Sequence, residues 1–182
     1  LPVPASVYYY YTRHSYQYDY SAVGDWLISR PLADAVVSKT PDDDLPYLQL
    51  FEYEYYPLND PQGRYPLLKS LKFTPNNQST FQVSGTFDYD NFGNLTMETI
   101  ATPNYNETPV EDRITAYEYS PEYHYRFLTQ TSKLVNNIDF IQTNAYYESS
   151  GNLKNHTDIN GQTTSYFYDG FGRTIKTIQP DG

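Results

Sequence analysis

The stretch Asn160-Gly161-Gln162-Thr163-Thr164-Ser165-Tyr166-Phe167-Tyr168-Asp169-Gly170-Phe171-Gly172-Arg173-Thr174 decides the fold. Two turn signals, Asn160-Gly161 and Asp169 to Gly172, enclose a run of Thr, Ser, Tyr and Phe, residues that suit a pleated, half-buried surface. Tyr166 and Tyr168 bracket Phe167, and a period of two sends them to the opposite face of a strand from Phe167. Tyr168 ends that strand, and the Asp169 carboxylate is placed to accept backbone N–H bonds in the turn. Gly172 supplies a φ > 0 position that a side chain would strain. Thr174-Ile175-Lys176 then runs back as the second strand, so the unit is a hairpin.

The pattern recurs upstream. Tyr89-Asp90-Asn91-Phe92-Gly93-Asn94-Leu95 and Tyr147-Glu148-Ser149-Ser150-Gly151-Asn152-Leu153 share its Tyr, its acidic residue and its glycine. Gly161 follows Gly151, and Gly182 of Pro180-Asp181-Gly182 follows Gly172, at the same interval of ten residues. In the first copy Pro103-Asn104 holds the matching place. A lone hairpin is marginally stable, so repeated hairpins must stack side by side into a longer antiparallel sheet.

The rest of the chain fits an all-β reading. Tyr16, Tyr18 and Tyr20 alternate with Gln17 and Asp19, Phe51, Tyr53 and Tyr55 with Glu52 and Glu54, and Tyr117 and Tyr119 flank Glu118. The best helix candidate, Pro31 to Lys39, contains Val36 and Val37 and reads equally well as a strand. Turn signals fall at Pro41-Asp42-Asp43-Asp44, Asn59-Asp60-Pro61-Gln62-Gly63, Thr74-Pro75-Asn76-Asn77 and Asn136-Asn137. A division is expected near residue 80, with an irregular, proline-rich segment over 1–80 and regular hairpins over 81–182.

Composition bounds the function. The 182 residues include 22 tyrosines and no cysteine, which excludes thiol catalysis, Cys-ligated zinc and disulfides. The length is large enough to bury a core without such staples. A net charge of −10 repels phosphate backbones, so a nucleic-acid partner is not expected. The longest apolar runs are too short for a membrane-spanning helix. The chain opens on Leu1 and closes on Gly182, and is expected to be a piece of a longer protein.

With these motifs in view, the sequence resembles the RHS or YD-repeat family. The resemblance rests on Tyr168-Asp169-x-x-Gly172-Arg173 with Pro180-Asp181-Gly182 and the preceding run from Asn160, and extends over roughly residues 81–182. Thr174 stands where the family's consensus has leucine. Tyr117-Glu118-Tyr119-Ser120-Pro121-Glu122-Tyr123 is similar to a degenerate unit without its glycine, like a segment of the B components of bacterial insecticidal toxin complexes. Asp25-Trp26-Leu27-Ile28-Ser29-Arg30-Pro31 is also similar to those components. The resemblance implies a section of a hollow β-shell, secreted or displayed at a cell surface, that encloses a C-terminal toxin or effector and performs no chemistry itself. Its partners are then the remainder of its own shell and the enclosed domain. The alternative is the adhesion role of animal relatives, with a carbohydrate- or receptor-binding surface.

No catalytic residue, cofactor or metal is expected. His14, His124 and His156 stand far apart in the sequence and read as surface or structural histidines. No Gly-x-Ser-x-Gly context places a nucleophile. Asp42-Asp43-Asp44 reads as a solvated turn rather than a calcium loop. Asp60-Pro61-Gln62-Gly63 resembles the Asp-Pro-x-Gly motif at which complete RHS shells release their effector by autoproteolysis. Here Arg64 replaces leucine and the motif lies upstream of the repeats, so a plain turn is expected. The sequons at Asn77, Asn94, Asn106 and Asn155 are expected by chance in an Asn- and Thr-rich chain. The tyrosines are expected to pack as cross-strand ladders rather than as sugar-stacking platforms.

Overall fold

The structure, a computed structural model, describes residues 11–19, 30–39, 46–76, 78–101, 103 and 111–181. Tyr20, residues 25–29, Asp42-Asp43-Asp44, the sequon asparagines Asn77 and Asn106, Asn104 and Gly182 lie outside the described residues.

Twelve strands follow one another along the chain: β1 (Tyr11–Asp19), β2 (Arg30–Lys39), β3 (Tyr47–Tyr55), β4 (Leu68–Pro75), β5 (Val83–Tyr89), β6 (Leu95–Ala101), β7 (Arg113–Tyr119), β8 (Leu128–Val135), β9 (Ile138–Tyr146), β10 (Leu153–Thr157), β11 (Thr163–Tyr168) and β12 (Thr174–Ile178). They form one antiparallel sheet in which spatial order equals sequence order, and the strands before residue 80 belong to it. Residues 31–39, ambiguous in sequence, are strand: Val36 and Val37 lose little χ1 freedom on a pleated surface. Helical structure among the described residues is limited to single 3-10 turns at Ser79–Phe81 and Pro121–Tyr123.

The contacts divide into two compact units, the first of residues 1–58, 65–86 and 100–110, the second of residues 59–64, 87–99 and 111–182. In the first unit, register carries Tyr16 opposite Asp34, Asp34 opposite Phe51 and Phe51 opposite Phe73, so these share one face. Glu52 and Lys72 oppose each other on the other face. The Phe51 and Phe73 rings stack with centroids 4.9 Å apart, a cross-strand aromatic pair of the kind the alternation predicts. Tyr55 is anchored instead by its hydroxyl, which donates to the Pro31 carbonyl at 3.0 Å while the Arg30 guanidinium lies over its ring.

The second unit is a meander of short hairpins from β7 to β12. Its strands repeat one irregularity: the register shifts between Glu118 and Tyr119 in β7 and between Phe167 and Tyr168 in β11, just before the tyrosine that ends each strand. β3 does the same between Glu54 and Tyr55 in the first unit. A bulge bends the strand and re-aims the next residues, so the recurrent one sets the entry angle of each turn.

The length allows a core, but few of the described residues are buried. Tyr56 and Tyr123 are the apolar side chains buried among the described residues, and no large side chain falls below 2% exposure. Within each unit the contacts run between neighbouring strands, so burial among the described residues comes from neighbours within the sheet.

Candidate functional site

The repeated turns form the most regular feature of the second unit. In the β5–β6 turn, Asp90 Oδ1 accepts the backbone N–H groups of Phe92 and Asn94 at 2.8 and 2.9 Å. In the β11–β12 turn, Asp169 Oδ1 accepts those of Phe171 and Arg173 at 2.9 and 3.0 Å. Asp158 does the same for Asn160 and Gln162. Asp60 does so for Gln62 and Arg64. Each loop is closed by the glycine N–H donating to the aspartate carbonyl, at 3.0 or 3.1 Å, and each glycine has positive φ. Around Asp90, Asp158 and Asp169 the aspartate N–H also donates to the carbonyl four residues on, which makes each a three-residue hairpin loop whose last position is left-handed. Asp60-Pro61-Gln62-Gly63, read as a plain turn, shares the carboxylate and glycine bonds within the longer connection between β3 and β4.

Of the residues singled out in the sequence, Tyr89 and Tyr168 end their strands, Tyr166 lies within β11, and Tyr147 follows the end of β9. Asp90, Asp169, Gly93, Gly161 and Gly172 hold the turns just described. Arg173 returns to its own aspartate, with Nε 2.7 Å and Nη2 2.6 Å from Asp169 Oδ2. Pro180 lies beyond β12 and is exposed. Glu148 departs from expectation. Its turn is one residue longer, closing from the Tyr147 N–H to the Asn152 carbonyl at 2.9 Å, and Gly151 reaches back to Tyr147. Glu148 is therefore the first residue of the loop and not its closing one, and Ser150 Oγ accepts the Asn152 N–H.

Because successive strands alternate in direction, the turns at 59–64, 90–94, 120–127, 147–152 and 169–173 share one end of the second unit. Each of the first four touches the next hairpin. Arg64 Nη1 meets Asp88 at 3.4 Å. Asn94 Nδ2 donates to the Tyr125 carbonyl at 2.8 Å, and the Phe92 and Tyr125 rings stack at 4.9 Å. Phe127 stacks on Tyr146 at 4.8 Å, and Tyr123 meets both edge-on. The Tyr147 hydroxyl donates to the Tyr166 carbonyl at 3.1 Å, and its ring meets Tyr168 edge-on. The connection at 120–127, expected as a unit without glycine, turns through His124 and Tyr125, whose φ values are 53° and 57°. Last in the series, Phe171 is 88% exposed, with the Arg173 guanidinium over its ring.

The turn carboxylates are held ionised. Arg64, bonded to both oxygens, together with the N–H groups of Arg64 and Gln62, brings Asp60 from 3.8 to about 2. Asp158 and Asp169 are lowered chiefly by the backbone N–H of the residue four positions on. Partial burial pushes Asp90 up, but the bonds from Asn94, Phe92 and Gly93 outweigh it and leave it lowered. Groups lowered on folding stabilise the fold above their unfolded value, and that contribution is lost as pH falls through the folded value. The turns should therefore hold at pH 5 and release below 3.8, Asp60 last at about 2. Carboxyl chemical shifts followed through an acid titration check this, and an Asp60 midpoint at or above 3.8 would contradict it.

Among the described residues no cluster of three His, Asp or Glu side chains could hold a metal. His14 stacks on Tyr16, His156 Nδ1 lies 2.9 Å from Asn144 Oδ1, and His124 serves the turn. The Asn94 amide spends its hydrogens on Asp90 and the Tyr125 carbonyl. A cleft of about 450 Å³ opens between the last two turns of the rim, with Tyr147, Phe167, Tyr168 and Ile175 as apolar walls and Ser150 and Asn152 as polar ones. No helix among the described residues is long and apolar enough to cross a membrane.

The strand, bulge, Asp–Gly turn and return strand define an antiparallel β-hairpin repeat. Residues 147–182 match the model of the RHS Repeat family, and this part of the chain is an RHS/YD repeat. The RHS repeat is a structural unit and not a catalytic one. No curated protein matches the chain.

Proposed function

We propose that this chain is a section of the wall of an RHS/YD-repeat shell, which encloses a C-terminal toxin or effector domain of the same protein and is secreted or carried at the cell surface. The observation that carries this reading is a sheet that buries few of its described side chains and whose turns in the second unit lean on one another. Such a sheet gains stability by lengthening rather than by folding upon itself. β12 is an end strand with exposed Thr174, Ile175 and Lys176, and Phe171 stands beside it without the aromatic cover that Tyr125 gives Phe92. The remainder of the shell is the partner proposed for that edge.

The parent protein provides the test. Its C-terminal domain should resist protease and antibody under native conditions and become accessible only when denaturant opens the shell. A domain that is cut or bound in the native protein overturns the reading. A second reading, glycan recognition, is favoured by the rings and amide lining the cleft at Tyr147 and Tyr168. Specific binding on a glycan array, abolished by Tyr168→Ala, would establish it in place of a pure wall.

A further inference from the structure

The β8–β9 hairpin is built differently from the rest of the second unit. Asn136 and Asn137 form its tip with φ of 50° and 60°, the left-handed pair that a two-residue hairpin turn needs and asparagine tolerates. Val135 faces Ile138, Leu134 faces Asp139, and Lys133 faces Phe140. Strand alternation then puts Val135, Ile138 and Phe140 on one face and Leu134 and Ile141 on the other. All five side chains are exposed, Ile138 at 59%. A solvent-facing hairpin normally keeps at least one polar face, so apolar residues on both faces mark a contact surface.

Its backbone is also unfinished on one side. Pairing of β9 with β10 ends at Thr143 opposite Thr157, and no strand among the described residues pairs with residues 138–142 along that edge. Unpaired N–H and C=O groups at strand spacing are complemented by another strand and not by a helix or a small molecule. That added strand must carry apolar side chains on both faces to cover the ones already there. Charge narrows the choice further. Residues 133–141 hold one cation, Lys133, and one anion, Asp139, within a chain of net charge −10. Two copies of so acidic a chain repel least where their surfaces are locally neutral.

We propose that residues 138–142 pair antiparallel with the same residues of a second copy of this chain, about a two-fold axis at Phe140. The segment meets every requirement its own edge sets. An isologous contact also closes at two copies, unlike head-to-tail addition through β1 and β12. The proposal concerns a different edge from the one assigned to the rest of the shell and stands independently of it.

The chain has no cysteine, so single-cysteine variants report contacts cleanly. With Phe140 on the axis, Phe140→Cys should form a disulfide-linked dimer under mild oxidation, whereas Ile175→Cys on β12 should not. Sedimentation of the unaltered chain should show a monomer–dimer equilibrium in the micromolar range. Ile138→Lys with Phe140→Lys should weaken dimerisation by at least about tenfold through like-charge apposition, with an unchanged circular dichroism spectrum. A chain that stays monomeric throughout, or cross-linking by the Ile175→Cys variant and not by Phe140→Cys, overturns the proposal.

Discussion

Replacing Tyr123 by alanine is expected to cost about 3 kcal/mol of stability, read as a lower urea midpoint of the second unit. Tyr123 is one of the two buried apolar side chains among the described residues, at 7% exposure. It reaches that state through a 3-10 turn capped by Ser120, whose Oγ accepts the Glu122 N–H, and the turn brings the ring against Phe127 and Tyr146. There the ring meets Phe127 and Tyr146 edge-on at 6.1 and 5.6 Å, and its hydroxyl accepts the Tyr146 N–H at 3.3 Å. Alanine would remove the ring around which both neighbours pack and leave a void that they refill only in part. Tyr123→Phe separates the contributions: it keeps the ring, loses the hydroxyl, and should cost only about 1 kcal/mol. Tyr125→Ala, by contrast, uncovers Phe92 at an exposed stack and is expected to cost about 1 kcal/mol. Equal losses for Tyr123→Ala and Tyr125→Ala would mean that the buried cluster is not a local core.

The hairpin unit was legible because its chemistry is local. Tyr168, Asp169 and Gly172 act within five residues of one another, so spacing alone places the strand end, the carboxylate acceptor and the left-handed glycine. The same logic was available at Asp60 and Asp158, where glycine follows three residues after aspartate as it does after Asp90 and Asp169. Arg64 even occupies the position of Arg173. The missing signal was not chemistry but the tyrosine, which precedes Asp90 and Asp169 and does not precede Asp60 or Asp158. Glu148 misled for the opposite reason: Tyr-Glu-x-x-Gly reads as the motif, yet the closing N–H belongs to Tyr147 and not to the acidic residue, which lengthens the loop by one. Contacts between turns were beyond reach. Nothing near Phe92 in sequence predicts Tyr125 above it, since that pairing depends on two aromatic residues in left-handed or turn geometry separated by two strands.

Gly151 is where local and long-range constraints meet, and Gly151→Ala should be more damaging than Gly63→Ala or Gly161→Ala. Its φ of +72° already disfavours alanine, at about 1 kcal/mol. Gly161 and Gly63 carry the same conformational demand, with φ of +77° and +68°, but a Cβ at either would meet nothing within 4 Å. At Gly151 the added carbon would sit 2.7 Å from Phe127 Cζ, closer than carbon atoms approach without one of them moving. Phe127 is not free to swing aside, because its ring is stacked on Tyr146 and held at its edge by Tyr123. Overpacking of this kind adds about 1–3 kcal/mol to the backbone cost. Gly161→Ala and Gly63→Ala should therefore lower the urea midpoint modestly, and Gly151→Ala two to four times as much in free energy, about 2–4 kcal/mol. The collision can be isolated by shortening the ring. In a Phe127→Leu background the alanine has room, and Gly151→Ala should fall back to the value seen at Gly161, a coupling of more than about 1 kcal/mol between the two positions. If Gly151→Ala costs the same in both backgrounds, the close approach of the turn to Phe127 does not exist, and neither does the packed link between the third and fourth turns of the rim.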